Sequence, residues 1–548
     1  MRAPAGGGTM AMVRASPARS AVVVPTLVLL VLSLATNPRF ANPDDGFFQL
    51  SLDGTLWGDP TGDVVVIRPL LTDALEQLYR WADVVPWYPG LHLAMQLAAW
   101  TMLLYTFLVH RASATWFGWA IATAVAVGLG LRLWMTMQYT STAGLLISAG
   151  IALHASSDRP DGWSTRAVLA GLAVGIGGLL RWEMLPVLLL VASPWLILAR
   201  PVGERRRAHA LFLGVVVTVT ALGVLHEQAK YRGDEAWSQY RSYNAIRGAL
   251  NDSPGLTEFD RLSPAMAERG WTDNDVELLA QFSLVDPVVF SEDNLEALHD
   301  DIGGARRSIS AAIEDVDVSH PLFFAVGALV GVIALITTDR RGRLILIASG
   351  AIAFALVAYA AFFLHLPFYV SASLVFLLAA MAVLQPPPAR RSIALGALGL
   401  LTVATIASAV ELAIDSGRNG ERSDRTVAFF DELDELDPEG TYLLESPNPI
   451  EHLSPLETTA LPDVELFIGT WFAGSPQYER RLAALGEGSA IDIVLAEPNV
   501  YLVTDTSRIG RYQTFVDQHV GGNVTLVPAL RHDFDGSTEL VALTRATE

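Results

Sequence analysis

Residues 21–50 read AVVVPTLVLLVLSLATNPRFANPDDGFFQL: an uncharged apolar run over 21–36, then a polar turn holding the acidic pair Asp44 and Asp45. An uncharged run of this kind is the mark of a membrane-crossing helix. Similar runs recur along the 548 residues, at about 90–109, 116–135, 142–155, 167–182, 184–199, 210–226, 321–337, 344–363, 369–385 and 392–412. With 51% hydrophobic and 17% charged residues, the chain reads as a mainly α, polytopic helical membrane protein of about eleven spans. A short apolar stretch after Arg14 and Arg19 also fits a cleaved signal peptide, but ten further spans favour a retained anchor.

The charge balance sharpens the class. The net charge of −20 argues against nucleic acid as a partner. Lys230 is the single lysine among 37 basic residues, and with the wealth of Ala and Gly this points to a GC-rich bacterial genome. The absence of cysteine excludes disulfides, thiolate metal sites and a cysteine nucleophile.

Loop charges set the expected orientation. With the N-terminus (1–20) in the cytoplasm, the inner segments hold fifteen arginines, including Arg205-Arg206-Arg207, Arg340-Arg341 and Arg390-Arg391. The short outer connections hold only Arg39, Arg68, Arg80 and Arg181. An N-terminal membrane module (21–226) with a first outer loop (37–89) is then followed by an outer loop domain (227–320), spans at 321–412, and an extracytoplasmic C-terminal domain (413–548). The two outer regions are acidic, net −11 and −15. The C-terminal segment reads as a small α/β domain: a charged helix (424–436), strand-like GTYLLE (440–445), IDIVLA (491–496), YLVTD (501–505), VTLVPAL (524–530) and ELVALT (539–544), and a helix near 508–519. The Pro-rich stretch 447–476 reads as loops and PPP at 386–388 as a stiff inner loop.

Asp44 and Asp45 fall close to the outer surface. Adjacent carboxylates repel, so one of the two holds its proton more tightly unless a cation neutralises the pair. That suits a general base or a ligand for a divalent cation. Asn42-Pro43-Asp44-Asp45-Gly46 reads equally as a turn that caps the next helix. Farther along, Leu70, Leu71, Ala74, Leu75, Leu78 and Trp81 recur at helical spacing, as in a helix lying flat in the interface.

Other charges sit at membrane depth. Residues 167–199 are too few for two full crossings, which need about 40. The turn Arg181-Trp182-Glu183 is therefore drawn toward the bilayer, where charged groups face an interior or a wet cavity. Residues two apart do not face each other on a helix, so separate partners are expected for Arg181 and Glu183. Arg132 lies in the outer half of its span, beside Gln138, Tyr139 and Thr140. Two arginines at such depth suit a lipid-linked phosphate; snorkelling and a structural ion pair are the plainer accounts. His365 falls in an outer turn. Lys230, Arg232, Arg241 and Arg247 interleave with Trp237, Tyr240 and Tyr243, a pattern that suits a sugar phosphate or lipid head groups. In GWTDNDVELLAQF, Thr272 or Asp273 can cap a helix.

Several motifs are missing. There is no GxxxxGK[ST], and His226-Glu227 lacks the second histidine of HExxH. Acidic pairs at 273/275, 315/317 and 533/535 resemble those of nucleotide-sugar enzymes but fall on the expected outer face, where such donors are not found.

The layout resembles the polytopic glycosyltransferases of the GT-C type, over about residues 20–385. The resemblance rests on Asp44 and Asp45 soon after span one and on the flat helix near 69–81. The chain is also similar to uncharacterised bacterial membrane proteins with the same acidic loop and a YNxxRG-like segment, here Tyr243-Asn244-Ala245-Ile246-Arg247-Gly248. It departs from them at Pro367-Phe368-Tyr369, where a basic residue is usual. The resemblance implies an inverting transfer on the outer face of the plasma membrane, from a polyprenyl-phosphate sugar to a glycan or lipid acceptor of the cell envelope. Asp44 or Asp45 is then the expected base, Arg132, Arg181 and Arg247 the expected phosphate ligands, and Glu183, Tyr139, Tyr243 and His365 the expected substrate contacts. No cofactor is implied beyond a divalent cation held by Asp44 and Asp45. Two rival readings are a transporter or flippase of lipid-linked sugars, and a non-catalytic envelope assembly protein.

Overall fold

A computed structural model describes residues 16–110, 115–155, 163–198, 206–257, 262–302, 306–315, 319–384, 391–445, 448–456, 465–468, 472–521, 524–534 and 538–546. PPP at 386–388 and residues 447, 457–464 and 469–471 lie outside the described residues; the rest of the stretch 447–476, expected as loops, also holds a short helix, Asn448–Glu451, and a strand, Glu465–Ile468.

Each of the eleven apolar runs forms a helix. Six are long and apolar enough to cross a membrane: Pro17–Ala35, Trp87–Val109, Trp116–Met135, Arg206–Tyr231, Arg340–Phe363 and the apolar part of Arg391–Leu436. Shorter apolar helices occupy the remaining runs: Tyr139–Ala155, Trp163–Leu180, Met184–Leu198, Pro321–Thr337 and Phe368–Val383. The chain is a multi-pass helical membrane protein with a small sheet domain near its C-terminus. Tyr139–Ala155 is buried along its whole length, so it forms the centre of the bundle. Small residues let neighbours close on it: a Cβ at Gly150 would lie 2.8 Å from both the Ala170 carbonyl oxygen and Val174.

Two short strands organise the end of the bundle that carries the acidic pair. β1 (Arg39–Phe40) pairs in parallel with β2 (Thr136–Met137), and Ala41 N–H adds a bond to the Met137 carbonyl at 2.9 Å. The exits of the first and third spans are thereby clamped together. Helix Pro43–Leu52 follows, with Asn42 at its N-cap, Pro43 in its first turn, and Asp44 and Asp45 beside it. Proline at this place costs no hydrogen bond, because the first amides of a helix have no internal partner. The amphipathic helix forms over Pro69–Trp81 as its spacing requires, burying Thr72, Leu75 and Tyr79 and leaving Trp81 exposed.

The body beyond the bundle, expected on the outer face and called the outer body for that reason, contains a five-stranded sheet in the order β4-β3-β5-β7-β6, formed by β3 (Thr441–Leu444), β4 (Glu465–Ile468), β5 (Val500–Asp505), β6 (Leu526–Asp533) and β7 (Glu539–Arg545). β3, β4 and β5 are parallel; β7 runs antiparallel to β5 and β6. Leu502, Leu443 and Phe515 share one apolar core with Leu250, Trp271 and Phe290 of the 227–320 region and with Phe47 and Leu50 of the first loop. Each such side chain contributes about 1.5–3 kcal/mol on full burial, so the three segments are held as one outer body.

Two expectations fail here. IDIVLA forms helix Ala490–Ala496, because Ser489 and Asp492 make a reciprocal capping box that stabilises a helix start. The charged helix expected at 424–436 is no separate element: helix Arg391–Leu436 runs for 46 residues from the last span into the outer body. Gly417 and Gly420 fall where the apolar residues end, but neither takes the positive φ of a helix cap, so the helix runs on. The capped helix at Asp273–Ala280 does form, with Thr272 as the cap and Asp275 completing the box.

Glu445 closes β3 and is fully buried, with neither carboxylate oxygen bonded. Burial pushes its carboxyl from 4.5 up to about 8, with Arg508 acting in the opposite sense. The folded protein thus holds a proton that the unfolded chain releases at lower pH. Stability should therefore decline as pH rises from about 4.5 to about 8, by at most about 1.4 kcal/mol per unit, and be independent of this group below that window. Glu445→Gln should remove that slope and raise the melting temperature at pH 8. Melting curves in detergent across the window check this, and an unaltered slope would refute it.

Candidate active site

Asp45 points inward and is fully buried. Its Oδ1 accepts a hydrogen bond from the Tyr88 hydroxyl at 2.7 Å and from the Tyr139 backbone N–H at 3.0 Å, and His92 Nε2 stands 3.6 Å away. Burial pushes the Asp45 carboxyl well above the ordinary range; the Tyr88 hydroxyl opposes this and the charge of Asp44 adds to it. Asp45 thus joins the first loop to the second and fourth spans. Asp45→Ala should leave the Tyr88 hydroxyl and the Tyr139 amide without their acceptor. The cost is about 1–3 kcal/mol per buried group, read as a fall in melting temperature that Asp45→Asn largely avoids.

Asp44 is partly exposed, and Asn42 Nδ2 donates to its Oδ2 at 3.2 Å. Its carboxylate acts electrostatically on Arg181, Tyr139 and Tyr369. The Arg181 guanidinium lies over the Tyr139 ring, 5.3 Å from the centroid, and its Nε pairs with Glu183 at 3.1 Å. Separate partners were expected for Arg181 and Glu183. They meet because 181–183 is a turn between two helices, where the helical rule for side-chain spacing does not apply. Burial acts to lower the pKa of Arg181, but Tyr139, Glu183, Tyr369 and Asp44 outweigh it, so the group is held more firmly as a cation. Asp252 lies nearby at the surface: partial desolvation by its neighbours raises its carboxyl, while Arg181 and the exposed His365 draw it down.

The turn that carries Arg181 is anchored from the first loop. Arg68 N–H donates to the Leu179 carbonyl at 3.0 Å, and the Arg68 guanidinium lies 5.7 Å from the Trp182 ring centroid. Glu227 pairs with both Arg68 and Arg241. Lys230 bridges Asp63 at 2.7 Å and Asp73 at 2.5 Å. These contacts tie helix Arg206–Tyr231 to the flat helix and fix the wall behind the site.

The structure thus groups Asp44, Asp45, Tyr139, Arg181 and Glu183, and links His365 to them only through its electrostatic effect on Asp252. It does not bring Arg132 or Arg247 to the same place. Arg132 pairs with Asp415 at 2.6 Å and Glu411 at 2.9 Å on the long helix. Arg247 is buried beside Asn244, with its guanidinium 5.7 Å from the ring centroid of Tyr243. Tyr88, Tyr369 and Asp252 were missed. Tyr88 lies at the start of the second span and Asp252 in the acidic 227–320 region, with no local motif to single out either. Tyr369 follows the Pro367-Phe368 step at which a basic residue was sought. Among the described residues, no three histidine, aspartate or glutamate side chains converge as a metal-ligand set.

No family model and no curated protein matches the chain. Two solved structures are similar to it: crystal structures of ArnT from Cupriavidus metallidurans, bound to undecaprenyl phosphate and in the apo state. Each is 13% identical with a TM-score of 0.42. The first covers 95% of this chain and 97% of ArnT, the second 96% and 98%.

Proposed function

We propose that the protein is an inverting glycosyltransferase of the GT-C type, moving a sugar from a polyprenyl-phosphate donor to a cell-envelope hydroxyl on the outer face of the plasma membrane. The observation that carries this reading is a partly exposed carboxylate, Asp44, within electrostatic reach of a cation, Arg181, that is held over the Tyr139 ring and paired with Glu183. Inverting transfer needs a base on one side of the anomeric carbon and charge stabilisation on the other.

Asp44 takes the proton of the acceptor hydroxyl as its oxygen bonds to the anomeric carbon. The bond from that carbon to the phosphate oxygen breaks with its electron pair. The departing polyprenyl phosphate gains one negative charge, which Arg181 meets with a fork of donors suited to phosphate. Asp45 is a positioning residue: it holds the Tyr139 amide and the Tyr88 hydroxyl that shape the floor. Tyr139, Tyr369, Glu183, Asp252 and His365 line the approach and contact the sugar or acceptor. Arg247 and Tyr243 belong to the packing between the outer loop and the C-terminal domain. Purified protein incubated with a panel of polyprenyl-phosphate sugars should consume one donor, and Asp44→Asn should not. Turnover of no donor, or equal turnover by the variant, would remove the proposal.

A further inference from the structure

A polar pocket lies beside the β1–β2 clamp, with Arg39 and Thr136 in its walls. It is a cavity of about 120 Å³ lined by Arg39, Arg132, Arg418 and Arg422, with His320 and Asp415 among its other walls. Four guanidinium groups converge here in a chain of net charge −20. The local carboxylates neutralise them unevenly. Arg132 takes Asp415 and Glu411 at close range, whereas Arg39 reaches Glu451, and Arg418 reaches Asp415, only at 4.0 Å. Arg422 forms no ion pair among the described residues, and it faces Arg39 as a like charge. Burial disfavours the charged form of Arg39, and Arg422 and Arg132 add to that effect against Glu451 and Asp415. His320 Nδ1 is 3.9 Å from Glu411. An anion among Arg39, Arg418 and Arg422 relieves this crowding.

A separate apolar cavity of about 340 Å³ runs down the bundle beneath this pocket. It is bounded by Val24, Val28 and Leu32 of the first span, by Trp119 to Trp134 of the third, and by Trp100 and Phe376. Fifteen residues of helix make it about 22 Å deep. Val24 and Val28 are 44% and 47% exposed on the bundle's outer surface, so the groove opens sideways to the bilayer. Its upper end is Trp134, whose Nε1 donates to Thr36 Oγ1 at 3.1 Å. The next residue, Asn37, bonds Ser416 and Asn419, and Asn419 lines the arginine pocket. The dry groove and the basic pocket therefore meet at the Thr36–Asn37 step.

We propose that this pair of cavities is a binding site for an anionic glycerophospholipid of the surrounding bilayer, its phosphate held by Arg39, Arg418 and Arg422 and one acyl chain lying in the groove beside Val28. The site is distinct from the one that carries Asp44 and Arg181, and it stands whether or not the protein transfers sugar. The bilayer supplies the occupant because the groove opens laterally, and the charge of the pocket selects an anionic head group over a zwitterionic one.

Native mass spectrometry of the full-length protein, titrated with phosphatidylglycerol, phosphatidylcholine or inorganic phosphate, tests the site. Phosphatidylglycerol should bind at least about 10-fold more tightly than phosphatidylcholine, the effect of about 1.4 kcal/mol. Arg418→Gln/Arg422→Gln should erase that preference. Val28→Trp, which fills the groove from an exposed position, should weaken phosphatidylglycerol binding and leave any binding of inorganic phosphate unchanged. Arg181→Gln, at the other site, should bind phosphatidylglycerol as the wild type does. Equal affinity for the two phospholipids, full retention by the arginine double variant, or indifference to Val28→Trp would overturn the proposal. Tighter binding of polyprenyl phosphate than of phosphatidylglycerol at these residues would do so as well.

Discussion

Replacing Asp44 by asparagine should lower sugar transfer by about 10²–10⁴-fold, the usual contribution of a positioned general base. The substitution keeps the size of the side chain and its place at the start of helix Pro43–Leu52, but an amide cannot receive the acceptor proton. Because Asp44 is partly exposed while Asp45 is fully buried, the protein should insert, express and melt almost as the wild type does. Asp44→Glu moves the carboxylate by one methylene and should recover part of the rate. Initial rates with the consumed donor, set against melting curves of the same preparations, decide the matter. If Asp44→Asn transfers sugar at the wild-type rate, Asp44 is not the base.

Arg181→Gln should produce the second large loss, about 10²–10³-fold in kcat, as expected when a preorganised charge beside a departing oxyanion is removed. Glu183 loses its 3.1 Å partner, yet its side chain is 45% exposed and water takes over its solvation. The fold should therefore survive. Arg181→Lys keeps the charge but gives up the planar fork and the packing on the Tyr139 ring, and should fall between the two. Acceptor KM should change little in either variant, because the cation acts on the departing phosphate. A large rise in acceptor KM at unaltered kcat would instead place Arg181 in acceptor binding.

The bundle was legible because bilayer length and hydropathy leave few alternatives: every apolar run became a helix where the run lay. The flat helix at Pro69–Trp81 was legible for the same reason, through its spacing. What stayed hidden depends on contacts between distant segments. Nothing near Arg39 announces that it will pair with Thr136, yet that pairing carries Tyr139 to Asp45. Arg132 and Arg181 look alike in sequence, each an arginine in the outer half of the membrane. Only the partners on the long helix, Glu411 and Asp415, separate them, and these are 279 and 283 residues away from Arg132. The acidic pair was found by type, but the division between Asp44 and Asp45 required knowing which one faces the interior. IDIVLA failed because a short apolar run suits a buried helix as well as a strand, and the capping box of Ser489 with Asp492 decides for the helix.

Helix Arg391–Leu436 gives the molecule a lever. Its 46 residues amount to about 69 Å of continuous rod, one end embedded in lipid and the other built into the floor of the sheet through Phe429, Phe430 and Leu433. A rod of that length swung by roughly 5° about its buried end displaces its tip by about 6 Å, so forces that tilt the last span are felt as movement at the sheet. The tilt of the last span and the position of the sheet are thus coupled through one continuous helix.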